Sequence, residues 1–134
     1  MKWVLDTTAF SHLMKRDQDL ESIIKTYPPK DIVTVPPVIA EIQYGLKRLQ
    51  PSSKKQLLLT VERDRILKVI GVLPWIDEAS SYFGMIKADL EKKGQLIDDF
   101  DIAIAAIAMS HSAGVMTANM NHFCRIRNLQ CLDW

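Results

Sequence analysis

One stretch constrains this chain more than any other: Asp98-Asp99-Phe100-Asp101-Ile102-Ala103-Ile104-Ala105-Ala106-Ile107-Ala108-Met109. It reads as a helix capped by Asp98, running to about Ser112 and closing at Gly114. It is apolar all round, and such a helix is stable only when it is surrounded. The rest of the chain must therefore wrap a core about it. Its N-terminus then lies at the edge of that core, with three carboxylates gathered there. Capping explains one acid and the helix dipole a second. The third, Asp101, has no structural requirement. At about 4 Å and an effective dielectric near 20, each like-charged pair costs roughly 4 kcal/mol before relaxation. A divalent cation would reverse the sign of that interaction.

The remaining punctuation divides the chain into alternating strand-sized and helix-sized pieces. Trp3-Val4-Leu5 reads as a buried strand ending at Asp6, followed by a helix over 8–15 and a second over 19–27. Ile32-Val33-Thr34-Val35 is β-branched and reads as a strand. Pro37 suits the first turn of the next helix, whose Val38, Ile42, Leu46 and Leu49 share one face. Ser52 or Ser53 caps a helix reaching Leu67. Val69 to Leu73 is strand-like. Asp77 caps a long helix that closes at Gly94. Val115-Met116-Thr117 and Leu129 to Leu132 read as the last strands. Alternation of this kind predicts an α/β domain with a largely parallel sheet. Ligands in such sheets sit beyond the carboxyl ends of the strands, which singles out Asp6 and the segment Thr117 to Asn119.

Composition removes other classes. The 134 residues suit one domain, residues 1–134, and 48% are hydrophobic. With 17 Lys+Arg against 16 Asp+Glu the net charge is +1, so bulk positive charge does not grip a nucleic acid. The purely apolar run Ile102 to Met109 is too short to span a bilayer. Asp6 interrupts any export-signal core, and Cys124 and Cys131 lack zinc spacing. The expected setting is the reducing cytoplasm. No GxSxG, Walker loop or GxGxxG is present. His12, His111 and His122 are isolated and read as surface or helix-end residues.

The chemistry that remains is acidic. Asp6 ends a strand, and Glu41 borders an apolar helical stripe with Gly45 one turn below. Asp6, Glu41 and Asp101 stand at the ends of three separate elements. Hard oxygen donors without His or Cys suit Mg²⁺ or Mn²⁺. Such a site, lacking a nucleophilic side chain, fits metal-assisted attack of water on a phosphodiester.

Four segments carry a family likeness. Leu5-Asp6-Thr7-Thr8, Ala40-Glu41-Ile42-Gln43-Tyr44-Gly45, the run from Gly94 to Ala106, and Thr117-Ala118-Asn119-Met120-Asn121-His122-Phe123 resemble, in order and spacing, motifs of PIN-domain ribonucleases of the VapC toxin type. The ending Leu132-Asp133-Trp134 is also similar. The resemblance implies a PIN-like three-layer α/β/α sandwich with a mostly parallel central sheet. It implies a Mg²⁺- or Mn²⁺-dependent endoribonuclease that acts on RNA, is restrained by a small antitoxin, and forms a homodimer. Carried over by position, Asp6, Glu41 and Asp101 hold the metal.

Asn119 stands where some members have Asp. A neutral amide is a weaker ligand, so Asn119 is expected to position water or substrate. Asp99 is the substitute carboxylate, ranked below Asp101 because neighbours two apart do not share a helix face. Thr7 or Thr8 is expected to hydrogen-bond a metal-bound water or to orient a carboxylate, with helix capping as the alternative. Lys47, Arg48, Lys87, Lys92, Lys93, Arg125 and Arg127 are candidate phosphate contacts. Leu57-Leu58-Leu59 and the Met residues read as core, with an antitoxin groove as the alternative. Two other readings remain: a PIN-like RNA- or protein-binding module without catalysis, and a phosphotransferase with Asp6 as nucleophile, for which Thr8 stands where a second Asp is needed. Near-neutral charge then reads as an average over an acidic pocket and basic surroundings.

Overall fold

A computed structural model describes residues 1–134. In chain order the elements are β1 (Trp3–Leu5), α1 (Thr7–Met14), α2 (Gln18–Ile24), a 3-10 turn (Pro29–Asp31), β2 (Ile32–Thr34), α3 (Pro36–Lys47), α4 (Lys54–Leu67), β3 (Gly71–Val72), α5 (Asp77–Lys92), α6 (Asp99–Ser110), β4 (Gly114–Met116), α7 (Met120–Phe123) and β5 (Cys131–Leu132). The five strands form one parallel sheet in the order β3-β2-β1-β4-β5. This is the α/β/α architecture expected from the alternation. No helix is long and apolar enough to cross a membrane.

The strand order creates a switch point. From β1 the chain builds outward through β2 and β3, then crosses back to place β4 on the other side of β1. A crevice opens at the carboxyl ends of β1 and β4, where the connections leave in opposite directions. Helix α6 returns into β4 through a short link, so its N-terminus lies at that same end. Its residues Ile102 to Ala108 are all buried. Each fully buried Ile is worth roughly 1.5–3 kcal/mol, so the anchoring of this helix in the core also fixes the position of Asp101.

Local chemistry explains most boundaries. Pro36 and Pro37 occupy the first two positions of α3, where an N–H is not needed. Ser53 caps α4, its Oγ accepting from Gln56 N at 3.2 Å. Asp98 caps α6 by accepting from Phe100 N at 2.7 Å. Gly114 lies beneath the Trp3 ring: a Cβ there would come within 2.4 Å of Trp3 Cζ3. Helix α1 closes at Arg16, whose φ of 58° turns its guanidinium toward Glu62 on α4. Arg16 and Arg65 together hold the Glu62 carboxyl below its usual range.

Several expectations shift. Helix α2 stops at Ile24 because a turn leads into Pro28-Pro29. Asp77 is not a cap: it is the first residue of α5, and with Glu78 it complements the helix dipole. Only Gly71 and Val72 of the 69–73 segment pair in the sheet, as an exposed edge. Strand β4 lies one residue earlier than expected, which leaves Thr117 just beyond the strand. Leu57 and Leu58 are exposed rather than core, at 57% and 58%, since α4 presents that side outward. Leu59 alone of the three packs on the core.

Candidate metal centre

Four elements deliver the site. Asp6 follows β1, Thr117 follows β4, Glu41 lies in the second turn of α3, and Asp101 in the first turn of α6. All of them open at the carboxyl end of the sheet.

Asp6 is 2% exposed. It caps α1: Oδ1 accepts from Ala9 N at 2.8 Å and from Thr8 Oγ1 at 2.7 Å. Oδ2 accepts from Thr117 Oγ1 at 2.5 Å. The expected N-cap is therefore realised, in a carboxylate that also feels the charge of Asp101. Burial pushes its pKa up, and the charge of Asp101 adds to this, while Ala9, Thr117 and Thr8 pull it down.

Glu41 is half-buried. Thr7 Oγ1 donates to its Oε1 at 2.5 Å, and no other side chain bonds it. Its pKa is also raised, first by burial and then by the charges of Asp101, Asp98 and Asp6, with Thr7 opposing. Thr7 and Thr8 thus both orient carboxylates. Thr8 Oγ1 in turn accepts from Ala118 N at 2.9 Å, which ties the residue after Thr117 back to α1.

Asp101 is held from the other side. Its Oδ2 lies 2.9 Å from His122 Nδ1, and Asn119 Nδ2 lies 2.8 Å from the same ring nitrogen. Asn119 N also donates to Thr117 Oγ1 at 2.8 Å. His122, read from sequence as a helix-end residue, does lie in the last turn of the short helix α7, but its ring faces Asp101. His122 is the residue sequence reasoning passed over; Thr117 was singled out by its place after a strand, but not its bond to Asp6. The signal for both lay in the segment from Thr117 to Phe123, which follows a strand at the switch point.

The structure does not bring every candidate in. Asp99 turns outward to Lys87, 2.9 Å away. Asp98 is spent as a cap. Among the basic candidates, Lys87 pairs with Asp99, Lys93 with Asp89, and Arg125 donates to the carbonyls of Gln95 and Leu96. Arg48 lies 5.5 Å from the Tyr44 ring centre. Lys47, Lys92 and Arg127 are exposed and unpaired.

The donor set fits a hard divalent cation. Asp6, Glu41 and Asp101 repel one another in a partly dry crevice, and no Lys or Arg neutralises them. Their donors are all oxygen. No three acidic, His or Cys side chains lie close enough together to hold an ion in this arrangement.

This fold and this acidic crevice define a class that the comparisons identify. The sequence model of the PIN domain matches residues 3–129. Ribonuclease VapC2 of Rickettsia felis is 31% identical over 97 residues, 72% of this chain and 69% of that protein. Ribonuclease VapC1 of Haemophilus influenzae strain R2866 is 30% identical over 139 residues, 100% of this chain and 98% of that protein. The crystal structure of VapBC2 from Rickettsia felis, bound to a DNA fragment from their promoter, superposes with a TM-score of 0.88. The identity there is 27%, covering 100% of this chain and 99% of that one. The chain belongs to the PIN-domain family and, within it, to the VapC ribonucleases.

Proposed function

We propose that this protein is a Mg²⁺- or Mn²⁺-dependent endoribonuclease and the toxin of a toxin–antitoxin pair. The observation that carries the reading is the convergence of Asp6, Glu41 and Asp101, from three elements, at the switch point between β1 and β4. Asp6, Glu41 and Asp101 are the residues that would hold the cation. When bound, the cation would supply Lewis-acid activation of water and charge stabilisation at the phosphate.

The chain's own residues do the rest. Thr117 and Thr8 fix the Asp6 carboxylate, and Thr7 fixes Glu41. The three acids act as ligands, with no side chain placed to form a covalent intermediate. Asn119 lies beside Asp101 as a neutral group, suited to bind water or a phosphate oxygen. Lys47, Lys92 and Arg127 remain available for RNA phosphates farther along the strand. Asp99, paired with Lys87, is a minor contributor at most.

The antitoxin partner rests on likeness to a protein solved in a VapBC complex. A small protein encoded by the neighbouring reading frame, carrying a DNA-binding head and a helical tail, should copurify with this chain and suppress its activity.

The test is RNA cleavage by metal-stripped protein, with and without Mg²⁺ or Mn²⁺, alongside Asp101→Asn. Cation-dependent cleavage lost in the variant supports the reading. Equal products from both proteins would sink it. Folded protein that binds RNA but never cuts it would make the chain a binding module instead.

A further inference from the structure

His122 Nδ1 stands 2.9 Å from Asp101 Oδ2 and 2.8 Å from the side-chain amide of Asn119. One ring nitrogen cannot accept from an amide N–H and face a carboxylate oxygen at the same time. A lone pair on Nδ1 would meet the Asp101 lone pairs in a crevice already crowded with negative charge. A proton on Nδ1 removes the conflict, and the amide must then present its oxygen to the ring. An amide turned by half a rotation keeps its shape, so nothing else has to move.

We propose that His122 is a positioning residue, held in the Nδ1–H tautomer, which locks the orientation of Asp101 and aims the Asn119 amide. The shared Nδ1–H donates to Asp101 Oδ2 and to Asn119 Oδ1 together. Asp101 Oδ1 has no hydrogen-bond partner within the protein and is left available to a cation. The Asn119 N–H₂ takes the place of an amide atom that has no partner within the protein, so it becomes a donor for a phosphate oxygen of the substrate. An Asp at 119 would put a second carboxylate against the same ring nitrogen, whereas Asn supplies an acceptor to the ring and a donor to the substrate.

The role rests on the nuclease reading for its kinetic consequence, and its tautomer is measurable without cation or RNA. Nitrogen-15 NMR of metal-free protein, with pH raised until the His122 shifts stop changing, reports which nitrogen of the neutral ring carries the proton. The expected proton is on Nδ1 in the wild type, with the Nε2–H form gaining population in Asp101→Ala, which leaves the ring only the Asn119 amide, able to face it either way. A wild-type proton on Nε2, or a tautomer indifferent to Asp101→Ala, overturns the proposal.

The kinetic arm uses two isosteric replacements. His122→Asn keeps a donor at the Nδ1 position, while His122→Gln keeps one only at the Nε2 position. Removing a partner that orients a metal-binding carboxylate costs about 10-fold or more in cation affinity or activity. His122→Gln and His122→Ala should show that loss in Mn²⁺ affinity, measured by titration of the metal alone, and in kcat. His122→Asn should restore both to within about 3-fold, well inside that cost. Asn as impaired as Ala, with melting temperatures matched, overturns the proposal. A wild type that never cleaves RNA sinks the nuclease reading and leaves the tautomer and the Mn²⁺ titration to decide this one.

Discussion

Thr117 Oγ1 donates to Asp6 Oδ2 at 2.5 Å, and neither residue is appreciably exposed. This bond joins the end of β4 to the end of β1 across the point where the sheet changes direction. Thr117 also accepts from Asn119 N, so one hydroxyl ties a strand end, a carboxylate and the start of α7. Thr117→Val keeps the shape and removes all of this. It should destabilise the fold by about 1–3 kcal/mol, because a buried donor and acceptor lose their partner. Thr117→Ser should recover most of the loss. Urea or thermal melts check both.

Asp6 and Glu41 titrate above their ordinary values. A carboxyl whose pKa is raised on folding stabilises the protein while protonated, and this is lost as pH rises through its folded pKa. Glu41→Gln cannot ionise, so metal-free Glu41→Gln should melt above the wild type at neutral pH. The gain should shrink toward zero below the ordinary Glu range. Asp17, Glu62 and Asp89 have lowered pKa values and act in the opposite direction, losing stability as pH falls. They are common to both proteins and cancel. A scan of melting temperature against pH with chelator present reads the difference. A gain that is constant with pH would show that Glu41 is not strained by its neighbours.

Space fixes the residue at position 114. Its β4 position faces Trp3 in register on β1, and the indole occupies the place of a side chain. Gly114→Ala should cost about 1–3 kcal/mol by overpacking, seen as a lowered denaturant midpoint with an unchanged slope. Trp3→Phe in the same background, by removing the colliding ring, should recover part of it.

Asp99 and Asp101 stand two apart on one helix and face differently. Asp99→Asn removes an exposed pair with Lys87, worth about 0–1 kcal/mol, and should leave RNA cleavage within about 2-fold of wild type. Asp101→Asn should abolish most of it. Parallel cleavage assays on the two variants make the comparison, and equal losses would return Asp99 to the site.

The frame of the fold was legible in the sequence because its strongest signals are local. The all-apolar run of α6, the paired prolines opening α3 and the β-branched residues of β2 each declare their element without tertiary help. Asp6, Glu41 and Asp101 stood out as candidates because Asp6 and Asp101 interrupt apolar runs at an element's end and Glu41 borders an apolar stripe inside α3. The remainder depended on contacts distant in sequence. His122 looks unremarkable until β4 and α6 place it against Asp101. Asp99 looks like a ligand until α5 supplies Lys87. Leu57 and Leu58 look like core because three leucines in a row carry no helical face, and only packing chose Leu59 to turn inward.

Asp6, Glu41 and Asp101 are proposed to form one divalent-cation site. Calorimetric titration of Mn²⁺ into metal-stripped wild type and into Asp101→Asn tests it most directly, with no need for the right RNA. The wild type should bind Mn²⁺, and the variant about 10-fold or more weakly, with both proteins folded. Equal affinity in the two, or no binding to the wild type, would contradict it.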